Sequence, residues 1–150
     1  MKRLLLFVVV AMSLSWSAAF AADRATPDEA KALAEKAAAY LKENGFDKAC
    51  PAFHAKDGGF QDRDLYVTVQ DSKGNMVCHG TTAALEGKNM LNLKDVDGKA
   101  FNVDIQAIKD TGWVEFKWIN PLTKAVEPKK NYEIRVGEYL VGVGAYTTVQ

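Results

Sequence analysis

The sequence predicts an α+β fold in one domain: a long N-terminal helix, a five-stranded antiparallel sheet, and a helical crossover between the second and third strands. Three observations predict it. An Ala-rich amphipathic segment lies near the start, the apolar period changes from helical to alternating at Asp64, and a long middle stretch separates two early strands from three later ones. Helix and strand patterns are thus segregated along the chain rather than alternating as βαβ units.

The first segment is a sorting signal rather than part of the fold. Lys2 and Arg3 precede the unbroken apolar run Leu4 to Met12, and Ala19-Phe20-Ala21 supplies a small-x-small cleavage site. Ser13, Ser15 and Ser17 dilute the run before it reaches the roughly 20 apolar residues a membrane span needs. Residues 1–21 are therefore read as a secretory signal peptide and residues 22–150 as the mature domain, periplasmic or secreted.

Thr26 can cap a helix, Pro27 fits its first position, and Asp28 and Glu29 sit where the helix dipole favours acids. Ala30, Leu33, Ala34, Ala37, Ala38, Tyr40 and Leu41 share one side, and Asn44-Gly45 is the stop. Phe46 to Ala52 predicts a short helical turn ended by Pro51, and Lys56-Asp57-Gly58-Gly59 a loop. Leu65 to Val69 and Asn75 to His79 flank the turn Asp71-Ser72-Lys73-Gly74 and predict a hairpin. Asp95 to Lys99 reads as a turn before a short helix carrying Phe101, Ile105 and Ile108, which Gly112 ends. Trp113 to Ile119, Asn131 to Val136 and Tyr139 to Thr147 predict the last three strands.

Composition narrows the function. The 150 residues carry 19 basic and 19 acidic side chains; loss of Lys2 and Arg3 with the signal leaves a net charge of −2. A nucleic-acid binder is excluded on that balance, since such domains carry a basic excess or stripe. There is no G-x-S-x-G, phosphate-binding loop or H-E-x-x-H, and Asp95-x-Asp97-Gly98 is too short for a calcium loop, so no enzyme, metal or cofactor is expected. In an oxidising compartment Cys50 and Cys78 read first as a disulfide, ahead of separate thiols. A zinc set of Cys50, His54, Cys78 and His79 ranks last, because adjacent Cys78 and His79 on a strand point to opposite faces.

Asp64-Leu65-Tyr66-Val67-Thr68-Val69, Asp71-x-x-Gly74, Cys78-His79-Gly80, Leu85 to Leu91 and Lys94-Asp95-x-Asp97-Gly98-Lys99 follow one another in an order that resembles the single Cache domain. Gly112 to Trp118, Asn120-Pro121, Glu127-Pro128-Lys129, Tyr132 and Val141 to Tyr146 continue the resemblance, which spans about residues 26–147. It implies a PAS-like extracytoplasmic sensor with a small-molecule pocket on one face of its sheet, here in a stand-alone soluble periplasmic form. If Cys78 faces the N-terminal helix, alternation sends His79 to that pocket face. Phe116 and Trp118 share a face of the third strand, and Gly142 and Gly144 leave room on the last. The resemblance places Lys129 near the ligand, where a partly buried ammonium calls for an anion.

The expected ligand is a small organic acid or amino acid, with Lys129 as charge partner, His79, Tyr132 and Tyr146 as polar groups, and Phe116 and Trp118 as apolar walls. A membrane receptor or transporter is the expected recipient of the signal, and the resemblance admits a homodimer through the N-terminal helix. Two other readings stay open: a structural or protein-interaction module without a ligand, and a redox-responsive protein using Cys50 and Cys78.

Overall fold

A computed structural model describes residues 24–147; the signal peptide reading falls on residues outside this range. Helix α1, Pro27–Asn44, begins with a complete capping box: Thr26 Oγ1 accepts from the Glu29 N–H, and the Glu29 carboxylate accepts from the Thr26 N–H at 2.7 Å. It buries Ala30, Ala34, Ala37, Ala38 and Leu41, and these short side chains let the helix lie close against the sheet. Gly45, at φ 77°, ends it and returns its N–H to Leu41 O at 2.9 Å.

Helix α2, Phe46–His54, runs past the expected end at Pro51. A proline inside a helix forfeits one hydrogen bond and disfavours the helical conformation of the residue before it. Tertiary ties outweigh that local cost. Cys50 is bonded to Cys78, Phe53 is fully buried against Tyr40 and Phe60, and Gln61 Nε2 caps the Phe53 and His54 carbonyls, each at 3.0 Å.

The sheet is antiparallel throughout. Strand β1 (Gln61–Asp62) is a two-residue addition along β2 (Leu65–Gln70), which pairs with β3 (Met76–His79) in the expected hairpin. After β3 the chain crosses over through a 3₁₀ turn at Ala83–Leu85 and helix α3 (Phe101–Ala107) to the far edge, β4 (Thr111–Ile119). Strands β5 (Val126–Val136) and β6 (Tyr139–Tyr146) then return inward, giving the order β3-β2-β6-β5-β4. Gly112 lies inside β4 rather than ending the helix, which stops at Ala107.

Strand β5 starts five residues earlier than Asn131, because β4 offers partners along the whole stretch from Val126. Pro128 has no N–H to give, but it sits at the end of the pairing with β6, where it still accepts from the Thr147 N–H at 2.9 Å. Lys129 is therefore a strand residue, and its parity is fixed.

Period-two alternation gives the sheet two faces. Leu65, Val67, Val69, Cys78, Tyr132, Val141, Val143 and Ala145 pack with α1 and α2 into the larger core. On the other face Val114, Phe116 and Leu140 pack with Phe101 and Ile105 of α3 into a smaller one. Between that second core and β3 lies the functional region.

Candidate functional site

On the face opposite α1, the crossover segment roofs a small cavity whose floor is β2, β5 and the end of β3. Its unfilled volume is about 30 Å³, room for one or two water-sized groups. Tyr66, Thr68 and Gln70 of β2 reach it by alternation, as do Lys129 and Asn131 of β5; Leu85, Met90, Phe101, Asn102 and Ile105 close it from above.

Lys129 is 4 % exposed and has no salt-bridge partner among the described residues. Its ammonium lies 4.0 Å from the centroid of the Tyr66 ring and 5.0 Å from that of Tyr146. Ring faces offset part of the cost of burying a cation, yet they are no substitute for a carboxylate. The Tyr146 hydroxyl donates to Ile119 O at 2.6 Å, so its 3.0 Å contact with Tyr66 is one in which Tyr66 donates. Burial pushes the Tyr146 phenol well above the usual range, and it stays protonated.

His79 is 3 % exposed and tilted against the Tyr66 ring at 4.9 Å. Its Nδ1 accepts from the backbone N–H of Thr82 at 3.0 Å, which places the ring proton on Nε2. Burial, reinforced by the charge of Lys129, lowers the pKa to about 4. At neutral pH His79 is an uncharged donor at the cavity wall.

Among the described residues, two buried amide atoms of cavity-lining side chains have no partner: Nδ2 of Asn102 and Oδ1 of Asn131. Asn102 spends its oxygen on Gln70 Nε2 at 2.7 Å, and Asn131 gives its nitrogen to the carboxyl of Glu133. Buried polar atoms are satisfied in the great majority of cases, so an unpaired donor on Asn102 and an unpaired acceptor on Asn131, the latter packed over Gly144, mark the cavity wall as polar and underused.

The room left by Gly142 and Gly144 is taken by neighbours rather than by a guest. Glu133 lies opposite Gly142 and Asn131 opposite Gly144, and a Cβ on either glycine would overlap those side chains. Lys129, Asn131 and Glu133 thus form a polar row on β5, sunk into a trough in β6. Glu133 is the deepest; burial raises its pKa to about 7, against the lowering effects of the Asn131 hydrogen bond and of Lys129.

Of the expected ligand residues, His79, Phe116, Trp118 and Lys129 meet around the cavity. Tyr146 stands behind Lys129 rather than on the wall, its hydroxyl engaged elsewhere. Tyr132 is not in the site: it belongs to the α1-side core, with its ring 4.7 Å from Trp113 and the Lys31 ammonium 5.4 Å above it. Strand alternation forbids Lys129 and Tyr132 from sharing a face once both lie in β5. Tyr66, Gln70, Asn102, Asn131 and Glu133 were not foreseen. Four of them could have been, since Asn131 and Glu133 share the parity of Lys129, and Tyr66 and Gln70 share the face of Thr68, the partner of His79.

On the opposite side of β3, Cys50 and Cys78 form the expected disulfide, with Cα atoms 5.8 Å apart, and it fastens α2 to the edge of the sheet.

An antiparallel sheet in this order, helices on both faces and a roofed cavity over one of them define a PAS-like sensor fold. The chain belongs to the single Cache domain 2 family, whose model matches residues 6–148. A comparison with curated proteins finds no match. Among solved structures, it is similar to a methyl-accepting chemotaxis protein from Vibrio parahaemolyticus, with TM-score 0.69 and 25% identity over 79% of this chain and 86% of that one. A Cache chemosensory domain described for carboxylic acid recognition matches with TM-score 0.68 and 20% identity, covering 90% of this chain and all of its own. A periplasmic sensor domain of a chemotaxis protein matches with TM-score 0.58 and 25% identity over 89% of this chain and 100% of that one. Cache domains are sensor modules rather than enzymes, and no helix among the described residues is long and apolar enough to cross a membrane.

Proposed function

We propose that this Cache domain is a periplasmic sensor for a short-chain organic acid, whose carboxylate pairs with Lys129. The mature protein, residues 22–150 after loss of the signal segment, passes the bound state to a membrane receptor or transporter. The observation that carries the reading is the buried ammonium of Lys129, unpaired by any carboxylate among the described residues and lining a cavity with Asn102 and Asn131, whose amides keep unpaired atoms. An uncompensated buried charge is costly, and an anionic guest removes that cost.

The remaining geometry assigns roles. Nε2–H of His79 and Nδ2 of Asn102 donate to the carboxylate oxygens, Oδ1 of Asn131 accepts from a hydroxyl or ammonium on the guest, and Phe116 and Trp118 wall the alkyl part. The closed cavity holds one or two water-sized groups, so a small guest enters only if the roof at Leu85 to Met90 shifts. The similarity to a domain described for carboxylic acid recognition supports the same ligand class. Periplasmic localisation is supported by the leader pattern of residues 1–21 and by the disulfide.

A thermal-shift screen of two- to four-carbon carboxylates and small amino acids tests the reading. A true ligand at about 100 times its Kd stabilises by about 2.7 kcal/mol, a shift of several degrees. Lys129→Met should weaken that ligand at least tenfold, the loss expected for a charge-assisted hydrogen bond. Silence across the acids, or unchanged affinity in Lys129→Met, overturns it.

A further inference from the structure

We propose that Cys50, Cys78, His54 and Glu86 form a second site, which binds one Zn²⁺ when a dithiol reductant opens the disulfide. It lies across β3 from the ligand cavity, where α2 and the 3₁₀ turn meet the sheet edge, and borders that cavity's roof through Glu86.

The donor set is already gathered. The four ligand atoms lie within 4.8 Å of one another. Cys50 and His54 are one turn apart on α2, which puts both on the same helix face. Nε2 of His54 lies 3.8 Å from the sulfur of Cys50 and 3.8 Å from that of Cys78, and 2.6 Å from Oε1 of Glu86. Around tetrahedral zinc, with bonds of about 2.0 to 2.3 Å, donor atoms sit roughly 3 to 4 Å apart. Two pairs are closer than that: the sulfurs, bonded to each other, and the hydrogen-bonded His54 and Glu86. Side-chain rotation after the bond opens is enough to part them, while the backbone of α2 and β3 keeps its place.

Strand alternation sends His79 to the cavity face and leaves three ligands from Cys50, His54 and Cys78; Glu86 is the fourth. Glu86 is held for the purpose, since Oε1 also accepts from the backbone N–H of His79 at 2.8 Å. Such a tie orients a metal-binding carboxylate as outer hydrogen bonds do in known sites. The sulfurs are buried, whereas the side chains of His54 and Glu86 are 37% and 26% exposed, which gives the ion a way in.

The chemistry balances. The dithiol gives two electrons and two protons to the Cys50–Cys78 bond and becomes a disulfide, leaving two thiols. Zinc then displaces both thiol protons to solvent, takes Nε2 of His54 with the ring proton on Nδ1, and takes one oxygen of the ionised Glu86. A thiolate pair with imidazole and carboxylate suits Zn²⁺, which does not itself change oxidation state.

The test is cobalt and zinc titration of the protein before and after reduction with a dithiol that is then removed without air. The reduced protein should bind one equivalent of Co²⁺ with a thiolate-to-metal charge-transfer band and the intense visible bands of a tetrahedral site, displaced by one equivalent of Zn²⁺. The oxidised protein should show neither. His54→Ala and Glu86→Gln should each weaken Zn²⁺ at least tenfold in the reduced form, with the melting temperature of the oxidised form as the check that the variants fold. Should reduction unfold the chain, one equivalent of Zn²⁺ should restore its cooperative melt. A cobalt spectrum without thiolate bands, affinity indifferent to His54 and Glu86, or a reduced chain that zinc neither binds nor refolds, each overturns the proposal.

Discussion

Replacing Glu133 with Gln should stabilise the protein at pH 8 by about 3 kcal/mol and leave it nearly unchanged at pH 4.5. The carboxyl is fully buried, and its pKa in the folded chain is about 7, against an ordinary value of 4.5. Below pH 4.5 both folded and unfolded chains hold the proton, so the folded state carries no penalty from the buried charge. Between 4.5 and 7 the folded chain keeps a proton that the unfolded chain has lost, and stability falls as pH rises. Above 7 both are ionised and the loss levels off at about 3 kcal/mol, from roughly 1.4 kcal/mol per tenfold change in proton affinity. The Gln amide has nearly the same shape, can still accept from Asn131, and never acquires the charge. The variant should therefore lose the Glu133 trend and keep the opposite one of His79, whose pKa of about 4 in the folded chain, against 6.5, makes stability rise with pH up to about 6.5.

Urea melts of both proteins at half-unit steps from pH 4.5 to 8 measure the effect. With a slope of about 1.5 to 2 kcal/mol per molar urea, the midpoints should diverge by about 1.5 to 2 M at the alkaline end. The other shifted carboxylates do not imitate this trend. The pKa values of Glu29, Asp71, Asp95 and Glu127 are lowered by hydrogen bonds and nearby cations, so their contributions are lost as pH falls below the ordinary carboxylate range. His79, with its pKa lowered by burial, pulls wild-type stability the opposite way, so the difference between the two proteins carries the test: parallel curves for wild type and Glu133→Gln would refute the burial argument.

Lys129→Met should cost at least tenfold in ligand affinity by calorimetry or thermal shift. Tyr132→Phe, on the far side of the sheet, should leave that affinity within twofold of wild type. Gly142→Ala forces a methyl against the Glu133 carboxyl and should lower stability by about 1 to 3 kcal/mol in chemical denaturation, the usual cost of overpacking. Replacing Cys50 and Cys78 together with Ser should lose about 3 to 4 kcal/mol, the loop-closure value for a separation of 28 residues, read from the same melts without reductant.

The sequence carries most of the fold because each element announces itself locally. Thr26 and Glu29 are a capping box in one dimension, Asp71 to Gly74 is a turn by composition, and the alternation from Leu65 or Tyr139 requires a strand wherever one face is buried. The placement of Phe116, Trp118 and His79 on one face followed from that alternation, joined to the resemblance to Cache domains. The errors arose where the deciding partner was distant. Pro51 marks a helix end by local rule, yet the Cys50 bond and the packing of Phe53 carry α2 three residues further. Pro128 hid the first half of β5, which exists because β4 lies beside it; with that half unseen, Lys129 and Tyr132 looked compatible with one site.

The sequence by itself determined the order of helix and strands, the family, the pairing expected of its cysteines, and which alternate residues share a face. Only the tertiary structure decided what those faces meet. It set a polar row of Lys129, Asn131 and Glu133 into the trough of Gly142 and Gly144, left Lys129 without a carboxylate, and brought His54 and Glu86 to the disulfide from opposite sides of β3 in the chain. Period and capping are properties of neighbours a few residues apart, whereas burial, charge pairing and proton affinity depend on groups that only the closed sheet brings together.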